Sequence, residues 1–77
     1  MIAGMSFRAY IQSRRITDTP AGDFTADARA DKAFPDARSW TELRRYLERR
    51  GAIREAVEAG HRVWAAYRAQ VRKNPTA

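Results

Sequence analysis

Apolar residues recur along this chain at the three- and four-residue spacing of helices, and no stretch alternates at period two for long enough to propose a strand. Phe7, Tyr10, Ile11 and Arg14 share one helical face, and Ser6 is placed as an N-cap whose hydroxyl accepts a free N–H of the first turn. Ile16 to Thr19 reads as a turn. Pro20 fits the first position of a second helix, where its missing N–H costs nothing. That helix carries Ala21, Phe24 and Ala28 inward and ends near Asp31 or Lys32. Phe34-Pro35 then breaks the pattern, because proline biases the residue before it away from helical geometry.

Ser39 starts a third helix, and Glu42 completes a Ser-x-x-Glu capping box. Trp40, Leu43 and Leu47 form its apolar face, and Gly51 is placed to end it with a positive φ. A fourth, longer helix is expected from about Ala52, with Ile53, Val57, Gly60, Trp64, Tyr67 and Val71 on its inner stripe and Asn74-Pro75 at its end. The pattern predicts an all-α bundle of four main helices. Residues 1–5 are expected as a flexible lead-in, 6–73 as one helical domain and 74–77 as a tail. Phe7, Phe24, Leu43, Leu47, Ile53, Val57, Trp64 and Tyr67 are expected to form one contiguous core.

These stretches, in this order, resemble the YozE SAM-like proteins, which are short bacterial and phage-associated chains. Ser6-Phe7 opens the first helix, with Tyr10-Ile11 one turn on. Gly22-Asp23-Phe24, Asp27 and Asp31 run into Phe34-Pro35. Tyr46-Leu47-Glu48 closes the third helix, and Ala65-Ala66-Tyr67 follows Trp64 in the fourth. The likeness covers roughly residues 6–67. It implies a compact bundle of four main helices with a sterile-alpha-motif-like fold, and it implies no activity.

Seventy-seven residues make one small domain at most. The chain contains no cysteine, which excludes disulfides and thiolate metal sites and favours a reducing compartment. No apolar run approaches the roughly 20 residues of a membrane span, and no signal-peptide core follows Met1. A cytoplasmic protein without membrane contact is the expectation.

Charge changes the picture. Residues 1–37 carry five Lys/Arg and five Asp/Glu, whereas residues 38–77 carry ten and four, so the net +6 is confined to the second half. At 100° per residue, Arg54, His61, Arg68 and Arg72 fall within about 40° of one another on the fourth helix. Arg45 and Arg49 make a shorter pair on the outer face of the third. Arginine forks match phosphate oxygens, so these six residues are the candidate contact surface for DNA or RNA backbone; the plain alternative is a solvated helix face dressed in arginine. No Asn or Gln cluster supports base reading by a helix-turn-helix unit. The aromatics sit on core stripes, which argues against stacking on single strands. Trp40 and Trp64 are both at core spacing, although a partly exposed Trp40 beside the connector would serve as a partner anchor. Met1 to Met5 offers a second hydrophobic handle.

Asp23, Asp27 and Asp31 recur at i, i+4 and i+8. A straight row of carboxylates suits neither calcium nor magnesium, so the expected role is structural. Asp23 favours the helix N-terminus, while Asp27 and Asp31 meet arginines or backbone N–H groups, Asp31 nearest those of the 32–35 connector. His61 is the only histidine, and Ser6 and Ser39 are already read as caps, so no nucleophile–base pair presents itself. No metal, cofactor or catalytic residue is expected. The reading is a non-enzymatic binding module whose basic half contacts nucleic-acid backbone without strong sequence preference. The alternative is a protein-interaction module, or a small mobile-element inhibitor that docks on a host protein.

Overall fold

The computed structural model describes residues 5–73 and contains four helices: α1 (Phe7–Ser13), α2 (Pro20–Ala30), α3 (Trp40–Arg49) and α4 (Arg54–Lys73). Each of the first three begins where a side chain takes over a free N–H. Ser6 Oγ accepts from Ala9 N, Thr19 Oγ1 from Gly22 N, and Ser39 Oγ from Glu42 N. Pro20 occupies the first turn of α2 as expected. The box at α3 closes one residue further back than the motif predicts, because the Glu42 carboxylate accepts from Arg38 N at 3.0 Å.

Helix ends are equally specific. Gly51 takes φ +78°, and the bonds Gly51 N to Glu48 O and Ala52 N to Leu47 O complete a Schellman turn after α3. The α1 C-terminus borrows a cation from its neighbour: Arg29 of α2 donates through Nε to the Ile11 carbonyl and through Nη2 to that of Arg14. At the other end of α1, Arg8 N donates to Asp36 Oδ1 while its guanidinium reaches the Phe34 carbonyl at 2.8 Å. The connector is thereby fastened to α1.

The core is an aromatic cluster around Phe7, which is fully buried. Its ring lies 4.9 Å from Trp64 and 5.2 Å from Tyr67, both edge-on, and 6.1 Å from Phe34. Ile11, Phe24, Ala28, Ala37, Leu43, Leu47, Ala59 and Val63 fill the remainder. Helix α4 is the spine, packing against α1, α2 and α3. Gly60 makes this approach possible, since a Cβ there would sit 3.0 Å from both Leu47 Cδ1 and Phe24 Cε1. Gly22 is tighter still: a Cβ would fall 1.9 Å from the Thr17 carbonyl oxygen.

Two expectations about the core are corrected. Ile53 is not in it; the residue is 66% exposed. The Schellman turn carries the chain past Ala52 before α4 starts at Arg54, so Ile53 stands ahead of the first helical turn, out of phase with the stripe drawn through it. Val57 is only partly buried, whereas Val63 is fully enclosed and Ala59 nearly so, which centres the buried face of α4 further round the helix than the predicted stripe. Met5, placed by sequence in the lead-in, is tied down: the Tyr67 hydroxyl donates to its carbonyl at 2.7 Å. The remainder of the lead-in and hydrophobic handle, residues 1–4, and the tail 74–77 lie outside the described residues.

Candidate functional site

The long α4 presents Arg54, His61, Arg68 and Arg72 as an exposed edge opposite its buried Ala59–Val63 side. The spacing that predicted this row holds because α4 runs unbroken from Arg54 to Lys73. Arg45 and Arg49 are also exposed, on the side of α3 turned away from Leu43 and Leu47. The six residues therefore divide into a four-residue edge on α4 and a separate pair on the outer face of α3.

Between the two helices lies a feature the sequence pattern under-described. Trp40, at the first turn of α3, is half-buried and meets the His61 ring at 4.7 Å between centroids with a 55° tilt. Trp40, Arg44, Val57, Glu58, His61 and Arg62 line an open groove of about 560 Å³ beside this pair. Arg44 is held to Glu48 through Nε at 2.9 Å, and Arg62 makes no ion pair within 4 Å among the described residues. Of the six predicted contact residues, His61 alone lines the groove. Arg44 and Arg62 were missed, whereas Trp40 is partly exposed, as its reading as a partner anchor requires. The i, i+4 spacing of Trp40 and Arg44 places them one turn apart on α3, but sequence alone could not show that α4 crosses beside them.

The acidic row resolves differently along its length. Asp31 is the C-cap of α2 and carries a dense set of partners. Its Oδ2 accepts the Tyr46 hydroxyl, its Oδ1 accepts Ala33 N at 2.9 Å, and Arg50 Nη1 lies 3.4 Å from Oδ2. Arg50 also donates to the Tyr46 oxygen at 2.7 Å, with its guanidinium over the Tyr46 ring. The Tyr46 hydrogen bond above all holds the Asp31 carboxyl below its ordinary value, helped by Ala33 N–H and Arg50 and opposed by partial desolvation. The same bond raises the Tyr46 hydroxyl, because ionising it would place two anions together. The expected connector N–H and arginine partners of Asp31 are present, with Tyr46 as an addition. Asp27 departs from expectation: no hydrogen bond or ion pair engages its carboxylate among the described residues, and it stands at the rim of a cleft. Asp23 sits in the first turn of α2.

That cleft, about 350 Å³, opens between α2, α3 and the start of α4, with Phe24, Phe34 and Leu47 at its floor and Asp27, Asp31 and Arg50 on its rim. No group of three or more His, Asp or Glu able to hold a metal ion occurs among the described residues. No described helix is long and apolar enough to cross a membrane.

The family model described as the YozE SAM-like fold matches residues 6–69, most of the chain. No curated protein and no solved structure matches the chain.

Proposed function

The chain belongs to the YozE SAM-like family, and we propose from its surface, since that fold carries no activity with it, a non-catalytic module that binds nucleic-acid backbone. The observation that carries this reading is the exposed α4 edge of Arg54, His61, Arg68 and Arg72, with Arg45 and Arg49 as a separate exposed pair on α3, within a half of the chain that holds the whole net charge of +6. Arginine forks along a 20-residue helix can follow successive phosphates, and neutralising them releases condensed counterions. No base-reading cluster accompanies the row, so the binding is sequence-tolerant. The proposed location is the cytoplasm, in keeping with a chain that has no cysteine.

A titration against random-sequence DNA and RNA at stepped salt tests this. Binding whose affinity falls steeply with salt is the expected result. No binding at low salt overturns it.

A second reading rests on the apolar cleft between α2 and α3, with the exposed Ile53 just ahead of α4. Apolar surface of this kind suits docking on another protein, including the mobile-element inhibitor role. Retrieval of one stoichiometric host protein by the wild-type chain, lost in an Ile53→Asp variant, would favour it.

A further inference from the structure

We infer that the groove between α3 and α4 is a base-stacking site, and that the nucleic acid this protein prefers is single-stranded. The inference rests on the nucleic-acid reading above and adds what the basic row does not supply, a place for a base.

Trp40 is the key group. Trp64 is enclosed in the core, at 8% exposure. Trp40 instead lies half-buried at the lip of an open groove of about 560 Å³. His61 meets its ring at a 55° tilt, so the imidazole braces the indole from the side instead of lying flat over it. An indole braced from one side and lining an open groove offers a place for a base to stack, and stacking tolerates any base because each has a π-face.

The charges around the platform fit a strand passing over it. Arg62 is exposed and free of ion pairs among the described residues. Arg44 engages Glu48 through Nε, which leaves its terminal nitrogens as donors. The two therefore offer phosphate contacts on the α3 and α4 sides of the groove. His61 belongs both to the groove and to the Arg54–Arg72 edge, so a strand stacked on Trp40 continues onto that edge. Glu58, the one acid in the lining, repels phosphate but accepts a hydrogen bond from the exocyclic amino group of cytosine. A duplex keeps its bases stacked on one another and offers none to the indole, which is why this site selects a single strand.

The test is a fluorescence and affinity titration of the wild-type protein with three probes of equal length: oligo-dC, the same backbone with abasic sites, and a duplex. Oligo-rC in a fourth arm tells RNA from DNA, and either source meets the proposal. The expected result is a shift in tryptophan emission with oligo-dC and roughly tenfold weaker binding of the abasic strand. In Trp40→Leu, with helicity checked by circular dichroism, the emission change disappears and the two strands bind alike. The abasic comparison uses the unaltered chain, so it stands even if that variant unfolds. Salt-sensitive binding with equal affinity for abasic strand, oligo-dC and duplex overturns the stacking site while leaving the backbone reading intact. No binding of any probe at low salt removes both.

Discussion

The Tyr46 hydroxyl donates a hydrogen bond to the Asp31 carboxylate and so ties the end of α2 to the flank of α3. Arg50 completes the contact from the C-cap of α3, donating to the tyrosine oxygen and standing 3.4 Å from the carboxylate. An acid at a helix C-terminus is unfavourable by its position. Here the charge is answered by three donors from the connector and α3.

This contact predicts a pH dependence at both ends of the scale. The folded Asp31 carboxyl lies below its ordinary value of 3.8, so its contribution is present above that value and is lost as pH falls through the depressed one. The folded Tyr46 hydroxyl lies above 10.0, so its contribution is present below pH 10 and is lost as pH rises through the raised value. Thermal melts from pH 2 to 11 should show Tyr46→Phe melting below wild type at neutral pH, with the gap closing toward both extremes. Coincident curves would mean the bond contributes nothing to stability.

Packing predicts a sharp contrast between two apolar residues. Phe7 is fully enclosed and touches the Trp64, Tyr67 and Phe34 rings, so Phe7→Ala should cost about 3–5 kcal/mol. The same range applies to Trp64→Ala. For a domain of this size that is most of the roughly 5 kcal/mol at the low end of native stability. Ile53→Ala should change stability by no more than about 0.5 kcal/mol, because the side chain is exposed. Urea denaturation midpoints for the three variants decide it; a large loss at Ile53 would place the core elsewhere.

The two close-packed glycines should differ in the same way. At Gly60 an added methyl meets the ends of Leu47 and the Phe24 ring, side-chain atoms that can shift, and Gly60→Ala should cost about 1–3 kcal/mol. At Gly22 it meets the Thr17 backbone carbonyl at 1.9 Å, which cannot yield without moving the turn ahead of α2. Gly22→Ala should therefore be the more damaging, measurable as a lower melting temperature than that of Gly60→Ala.

The basic surface makes a prediction separable from the fold. Replacing Arg45, Arg49, Arg54, Arg68 and Arg72 with Gln should flatten the dependence of nucleic-acid affinity on salt, each lost phosphate contact removing about 0.9 from the logarithmic slope on duplex DNA. Because all five are exposed, the melt should stay close to wild type. An unchanged salt slope would exclude these residues as the interface.

Local chemistry determined a large part of this protein from its sequence. Ser6, Pro20, Ser39 and Gly51 marked helix boundaries because caps, proline and positive-φ glycine act within one turn of themselves. The α4 row of Arg54, His61, Arg68 and Arg72 was legible for the same reason: one uninterrupted helix fixes which residues share an edge. Ile53 was misread because periodicity carries no information about where a Schellman turn releases the chain into the next helix. Tertiary structure alone decided the rest. Asp31 met Tyr46, fifteen residues away, and Tyr67 reached back to the Met5 carbonyl. Trp40 and His61 came together only because α4 crosses beside α3, with Gly60 allowing the approach. Contacts between distant residues depend on how helices pack, and packing is set by the shapes of all the buried side chains together, not by the spacing along any one helix.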